Sequence, residues 1–357
     1  MDLFVLNQSY ETVAIIDAYE SLIWTDRYNA YGDFELYLPM DVSLLAYLQI
    51  DNYLWMKESE HTMIIEDISI DTDVESGNHL TVTGRSLESI LTRRVVWQFQ
   101  NLNGNFQEKI EYILNQNIIS SSNTQRQIEG FTFVASEDSA ITELTIDCQL
   151  MGEEIYSVIQ EYCELYNIGF KLILTGDNKL EFSFYTGTDR SFAQTENPYV
   201  VFSPGFDNII NSNYYASASS YKNVALIEDE ESENYYRISN HRVIVGDESG
   251  INRRETYVST RITGVDDDGT TALTDEERRS QLREIGNQTL AENTAVTAFE
   301  GEVEYTTPFT YGTDFFVGDT VQIQNEYGIE GSACITEVVF SVDESGSSVY
   351  PTFATIE

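Results

Sequence analysis

Over about the first hundred residues, apolar and polar positions alternate in short runs. Phe34-Glu35-Leu36-Tyr37-Leu38 and Leu80-Thr81-Val82-Thr83 alternate apolar with polar or amphipathic side chains, the period of a half-buried strand. Similar β-rich runs at Leu3–Leu6, Thr12–Ile16, Ser21–Thr25, Tyr53–Lys57, His61–Thr72 and His79–Arg85 are split by turn residues. They recur about every 8–12 residues, the rhythm of a sandwich or barrel. Asp73-Val74-Glu75-Ser76-Gly77-Asn78 reads as a hairpin turn between two of them.

From Asn105 the period lengthens. Phe106, Ile110, Ile113, Leu114 and Ile118 fall on one stripe of an amphipathic helix. A second helix is predicted over Gly152–Asn167, with Ile155, Ile159, Tyr162 and Tyr166 on one face and Asn167-Ile168-Gly169 as its stop. Strands at Phe170–Leu174 and Lys179–Tyr185 follow, joined through Gly176-Asp177-Asn178. After Pro198–Gly205 the pattern returns to strands at Ile209–Ala216, Asn223–Glu228, Tyr235–Val245 and Arg253–Ile262. Thr274 with Glu277 forms a capping box opening a helix, and Asp275 and Glu276 suit its dipole. Strands at Phe299–Tyr305, Thr320–Asn325, Gly331–Val342 and Val349–Ile356 close the pattern. The predicted fold is mainly β with an α+β insertion. Its division is 1–98 as a first β unit, completed by about 198–226; 99–197 as the insertion; and 227–357 as a second β unit with a helix over about 274–293.

Composition narrows the partners. The chain has 357 residues, with 60 acidic against 19 basic side chains and a formal charge of −41. Its 23 Tyr and 18 Phe exclude wholesale acidic disorder. A charge of this sign repels nucleic-acid phosphates and anionic membranes, so a sequence-specific DNA reader is excluded. A salt-adapted host would produce the same composition. No run of about 18 apolar residues offers a membrane span. The acidic Met1-Asp2-Leu3-Phe4 start lacks the basic region of a signal peptide, so the expected location is intracellular.

Chemistry is sparse. Cys148, Cys163 and Cys334 are too few and too far apart for a disulfide framework or a metal pair, and His61, His79 and His241 are the only histidines. The common hydrolase, nucleotide and zinc signatures are absent. The loops at Asp266-Asp267-Asp268-Gly269 and Asp71–Glu75 fail the ligand spacing of a calcium loop. No catalytic residue, metal site or cofactor is expected, and the chain reads as a non-enzyme. The acidic run at Glu228, Asp229, Glu230 and Glu231 reads as an exposed loop tip or as a face turned toward DNA or a basic partner. Arg93 and Arg94 are candidates for pairing with acids of a neighbouring subunit or of the same chain. Tyr28, Tyr31, Tyr214, Tyr215, Tyr235 and Tyr236 serve either a core, a subunit interface or a sugar platform.

Five stretches carry a family likeness. Trp24-Thr25-Asp26-Arg27-Tyr28-Asn29-Ala30-Tyr31-Gly32-Asp33-Phe34-Glu35-Leu36 resembles the opening of tailed-bacteriophage hub proteins, the N-terminal module of tail-associated lysins. The others are Val82-Thr83-Gly84-Arg85-Ser86-Leu87, Tyr185-Thr186-Gly187-Thr188-Asp189-Arg190, Ser220-Tyr221-Lys222-Asn223-Val224-Ala225 and Phe316-Val317-Gly318-Asp319-Thr320-Val321. The resemblance implies a homotrimeric tail hub with two tube-type β domains per subunit, giving a pseudo-six-fold ring. It implies a virion tail-tip or baseplate location after assembly in the host cytoplasm. Implied partners are the chain itself, a distal tail protein or tail tube, and a tip fibre, spike or separate lysin. DNA would pass without specific binding, through a bore that some of the excess carboxylates line. Lysin-bearing relatives continue into a hydrolase, whereas this sequence stops at Glu357; the expectation is that the enzyme is absent or carried on another chain. The alternative reading is a receptor- or carbohydrate-binding tail protein.

Overall fold

The computed structural model describes residues 1–74, 77–209, 211–230, 242–262, 272–302, 309–328, 330–343 and 346–355. Seven strands come first: β1 (Leu3–Leu6), β2 (Thr12–Ile16), β3 (Ser21–Arg27), β4 (Asp33–Pro39), β5 (Tyr53–Trp55), β6 (Thr62–Asp73) and β7 (Gly77–Ser86). The central segment holds β8 (Gln100–Asn105), α1 (Phe106–Leu114), β9 (Phe131–Val134), α2 (Ser139–Thr142), β10 (Thr145–Leu150), α3 (Ile155–Tyr166), β11 (Gly169–Leu174) and β12 (Leu180–Tyr185). The remainder is β13 (Val201–Phe202), β14 (Asn211–Ser217), β15 (Val224–Asp229), β16 (Arg242–Val245), β17 (Glu255–Thr260), α4 (Asp275–Glu292), β18 (Val296–Glu302), β19 (Thr320–Gln324), β20 (Glu330–Asp343) and β21 (Gly346–Thr355).

One sheet joins the two ends of the chain. Its order is β14-β18-β21-β20-β3-β4-β7-β6-β5-β1-β2, with β19 on β20 and β13 on β19. The seam is the antiparallel pair β20–β3, from Glu337↔Arg27 to Val342↔Leu22. On one face Leu22, Trp24, Phe34, Leu36, Leu80, Val82, Val338, Phe340 and Phe353 form a core that includes residues from both ends of the chain. Period-2 alternation drives this: β4 and β7 bury every second side chain and leave the intervening ones half-exposed or exposed. Within the stretch 198–226, β13 pairs with β19 and β14 with β18, so it joins the sheet beside strands near the C-terminus.

The central segment has its own core of Phe106, Ile110, Ile113, Leu114, Ile155, Ile159, Tyr162, Phe170 and Phe182. Asn105 caps α1 by accepting from the Glu108 N–H at 3.1 Å, and Asn167 ends α3 in the left-handed region at φ 50°. A third unit packs α4 on the sheet β16-β15-β17 around Ala225, Ile227, Val243, Ile262 and Leu282. The capping box at Thr274 and Glu277 is formed in both directions. Among the described residues no helix is long and apolar enough to cross a membrane.

Candidate functional site

The face of the large sheet opposite the core is polar, and strand register lines its side chains into rows. Asp67, Thr83, Glu35, Ile23, Ser341 and Ser348 stand opposite one another across β6, β7, β4, β3, β20 and β21. The neighbouring row is Ser69, Thr81, Tyr37 and Ser21. The two arginines on this face are already neutralised. Arg27 meets Asp33 at 2.5 Å and Glu337 at 2.6 Å, and Arg85 grips both oxygens of Glu66 at 2.6 and 2.8 Å. Glu35, Asp67 and Asp71 have no cationic partner among the described residues, so this face carries net negative charge.

Among the described residues, the outer side of β14 and the later part of the outer side of β6, the two ends of this eight-strand run, carry no partner strand. β14 pairs only with β18, and among the described residues no strand covers its other side. β5 covers β6 only as far as Ile64, leaving the outer side of the later β6 residues without a strand partner among the described residues. Open edges are templates for pairing with another chain. Tyr214 and Tyr215 lie on β14, 43% and 55% exposed.

Beneath the seam, a buried polar junction fastens the chain's segments together. Asp26 on β3 is 1% exposed and accepts from Trp24 Nε1 at 3.1 Å, Ser59 Oγ at 2.9 Å and the Tyr311 hydroxyl at 3.0 Å. Burial pushes its carboxyl above the usual range, against those hydrogen bonds and nearby His61. His61 Nδ1 lies 2.9 Å from Glu88 Oε1, which also accepts the Leu172 N–H of β11 at 2.9 Å. Burial opposes a charge on His61, yet Glu88 and Asp26 beside it hold its pKa up to about 9. Burial likewise opposes the Glu88 charge, and His61 with its other donors overcomes this and holds it below the ordinary range.

Tyr28 is the hub of this junction. Its hydroxyl donates to Asn167 O at 3.2 Å, and its ring lies against Gly169 and Gly318. Asp319 accepts from the Thr188 N–H at 2.7 Å and from Arg190 Nε at 2.7 Å. Three of the five stretches that carry the family likeness therefore converge here. A cavity of about 540 Å³ opens beside them, lined among others by Lys57, His61, Lys171, Tyr185 and Tyr311.

The sequence-derived candidates scatter. Tyr28 is 2% exposed, and its ring is spent inside the chain rather than at a surface. The Tyr31 ring lies 4.8 Å from that of Tyr156, tilted by 39°, with the Arg85 guanidinium 5.0 Å from its centre. Arg93 faces Asp51 at 3.5 Å and Glu66 at 3.8 Å, and Arg94 donates to Arg126 O and Arg93 O. The described part of the acidic run, Glu228 to Glu230, is tied to its neighbours. Glu228 and Asp229 end β15; Glu228 pairs with Arg242 at 2.6 Å, and Asp229 is fully buried against Arg278. Glu230 accepts from Ser259 Oγ at 3.0 Å. Tyr235, Tyr236, Glu231, His241 and the loop Asp266–Gly269 lie outside the described residues. Sequence reasoning missed Asp26, Glu88, Tyr311 and Asp319. The family stretches contain Asp26 and Asp319, but nothing in their local pattern marks a buried acid.

The architecture is that of phage tail proteins. It superposes on the 43 kDa tail protein of prophage MuSo2 from Shewanella oneidensis with a TM-score of 0.63, covering 99% of this chain and 98% of that one at 13% identity. The tail protein from Neisseria meningitidis MC58 gives 0.59 over 99% and 96% at 11% identity. Prophage tail protein gp18 from Listeria monocytogenes EGD-e gives 0.56 over 99% and 94% at 13% identity. At these identities the likeness is one of fold. The chain belongs to the family of Siphovirus ReqiPepy6 Gp37-like proteins, which it matches over residues 2–354. No curated protein sequence matches it. It is thus a structural tail protein of the siphovirus type.

Proposed function

We propose that this tail protein is a homotrimeric hub at the tail tip or baseplate, joining a six-fold tail tube or distal tail protein to a three-fold fibre, spike or separate lysin. The observation that carries the reading is the pair of edges without a partner strand among the described residues, β14 and the later part of β6, at opposite ends of one continuous run of strands. Two different edges on one molecule favour head-to-tail pairing, which closes into a ring when the rotation permits. Within each chain β14-β18-β21-β20 and β3-β4-β7-β6 form two four-strand blocks meeting at the β20–β3 seam. Three copies then present six comparable blocks, matching a six-fold tube above and a three-fold tip below. In this reading the first block is the core of the tube-type unit predicted over 1–98, the second is the core of the unit predicted over 227–357 with β14 (Asn211–Ser217) added from ahead of it, and 99–197 decorates the outside.

The polar face supports the bore. With Glu35, Asp67 and Asp71 unneutralised, a wall of this face repels phosphate over a Debye length of about 8 Å and lets DNA pass without sticking. No catalytic step is assigned to the chain, and its assembly is placed in the host cytoplasm before incorporation into the virion.

Light scattering followed by particle averaging tests the reading. A mass of three chains and a three-fold ring with an acidic bore are expected. A stable monomer at tens of micromolar, or a neutral or basic bore, overturns it.

A further inference from the structure

A small cavity in the central segment is built unlike the rest of this acidic chain. It has a volume of about 240 Å³ and is lined by Trp97, Gln98, Gln100, Gln116, Asn117, Ser121, Ser122, Asn123 and Arg126. In a chain with 60 carboxylates, not one lines it. Five planar amides, two hydroxyls, one indole and one guanidinium do.

Arg126 and Trp97 define its chemistry. Arg126 is only 9% exposed, and its guanidinium lies 4.4 Å from the centre of the Trp97 ring. Nη1 donates to Asn117 Oδ1 at 3.0 Å and Nη2 to Val95 O at 2.6 Å. Those bonds use two of the five N–H donors of a guanidinium. Among the described residues Arg126 has no carboxylate partner, and burial together with nearby Arg94 lowers its pKa. A buried cation without a counter-charge is costly, and an anion entering the cavity would offset that cost. Trp97 is 61% exposed although it is among the largest apolar side chains, so much of its indole surface faces solvent.

Local backbone geometry holds the amides in place. A π-helical turn, Asn115–Ile119, follows α1 and closes with the Ser120 N–H on Asn115 O at 3.0 Å. Such turns are rare and recur at functional sites. Asn117 is fixed by its own bond to Ile113 O at 2.9 Å and presents its oxygen to Arg126. Gln100 and Ser121 are likewise buried.

We propose that this cavity binds one pyranose ring carrying an anionic group, a carboxylate or a phosphate, on a glycan. The indole offers a flat apolar surface to the C–H face of the ring, as amphipathic aromatic side chains do at wet interfaces. The amides and serines offer paired donors and acceptors for ring hydroxyls. The free guanidinium donors match the planar geometry of a carboxylate or phosphate. The volume equals that of about eight liquid waters, which accommodates one ring and not an extended chain. The site lies on the central segment and does not depend on the trimeric hub reading.

The test titrates the purified chain with glucuronic acid, glucose 6-phosphate, glucose and inorganic phosphate, following the sugar ring-proton resonances by NMR. Saturable millimolar binding is expected for at least one anionic sugar, with glucose and inorganic phosphate each about tenfold weaker. Whichever anionic sugar binds more tightly identifies a uronate-type or a phosphate-type glycan. Trp97→Ala is expected to weaken binding about tenfold or more while lowering the urea midpoint only slightly, because the side chain is largely exposed and its buried contact is the Arg126 guanidinium. Gln98→Ala, also at an exposed position, is expected to weaken it several-fold. No saturable binding by either anionic sugar overturns the proposal. So does equal affinity for inorganic phosphate, or undiminished binding by Trp97→Ala.

Discussion

Gly187 and Gly318 meet backbone to backbone. A Cβ placed on Gly187 would lie 1.8 Å from the carbonyl oxygen of Gly318, and one placed on Gly318 would meet the Tyr28 ring. The contact cannot relax by sliding. Arg190 N–H to Thr320 O at 2.7 Å and Thr320 N–H to Thr188 O at 3.0 Å pin the two stretches together, and Asp319 bonds the Thr188 N–H. Two stretches that carry the family likeness are therefore one structural joint, over a hundred residues apart in sequence.

Gly187→Ala is expected to destabilise the chain by about 2–3 kcal/mol, since the added methyl meets rigid backbone rather than a flexible side chain. Gly176→Ala, where a Cβ would meet nothing within 4 Å, is its control and should be near neutral. Urea denaturation of the two variants checks this, and equal midpoints would refute the joint.

The buried His61–Glu88 pair predicts a pH window. His61 titrates at about 9 in the fold against 6.5 for an ordinary histidine, so the protonated form is bound more tightly by the native state. Its contribution is fully present below about pH 6.5 and is lost as pH rises through about 9. The shift corresponds to about 3 kcal/mol. His61→Gln should flatten the loss of stability between pH 6.5 and 9.5, measured as denaturant midpoints at fixed ionic strength. A variant curve parallel to the parent curve would sink this assignment.

Much of the strand layout was legible because it rests on local alternation. β4 and β7 show period 2 in their side chains, and the Thr274–Glu277 box announces α4. β8 was not legible: Gln-Asn-Leu-Asn-Gly-Asn has almost no β propensity and forms a strand only because β10 pairs with it from Leu102↔Cys148 outward. Long-range polar contacts leave no local trace at all. Tyr311 reaches Asp26 across 285 residues and Arg27 reaches Glu337 across 310. Asp229 misled for the opposite reason. Its acidic neighbours signal solvent, whereas its true partner, Arg278, stands 49 residues away on α4. The Trp97 cavity escaped notice because scattered amides form no motif.

Glu284 reports on the seam between α4 and the central segment. Burial pushes its pKa up to about 7, with Asp147 adding to the effect. Here the sign opposes that of His61: the native state favours the neutral acid, so stability falls as pH rises from about 4.5 through 7. With solvent screening at this partly exposed site the cost is about 1–2 kcal/mol. Glu284→Gln should therefore raise the denaturation midpoint at pH 8 and leave it unchanged at pH 4. A destabilised variant at pH 8 would contradict the seam.

Arg278 and Asp229 form the ion pair that fastens α4 to β15, with side chains 11% and 0% exposed. Removing one partner strands the other charge, so Arg278→Met alone should cost about 3–5 kcal/mol. Asp229→Asn in the same background should recover a large part of that loss. A double-mutant cycle from denaturation midpoints measures the coupling, and a value near zero would show that the pair is screened.

The edge of β14 gives the sharpest test of ring closure. Asn211-Ser212-Asn213-Tyr214-Tyr215-Ala216-Ser217 carries no charge, whereas the free edge of β6 includes Asp67 and Asp71. A neutral edge tolerates the acidic one, but two β6 edges would set carboxylates opposite each other, which disfavours self-pairing. Asn213→Asp with Tyr215→Asp should make the β14–β6 contact repulsive by about 0.2–1 kcal/mol per pair in each of three interfaces. Both positions are exposed in the single chain, so the subunit should keep its fold and its circular dichroism spectrum. Light scattering should then find monomers at about 50 mM salt and a partial return of trimers near 1 M, where the Debye length shrinks to about 3 Å. Trimers that persist at low salt would place the interface elsewhere on the molecule, and monomers unresponsive to salt would show that the lost tyrosine surface, rather than charge, held the ring.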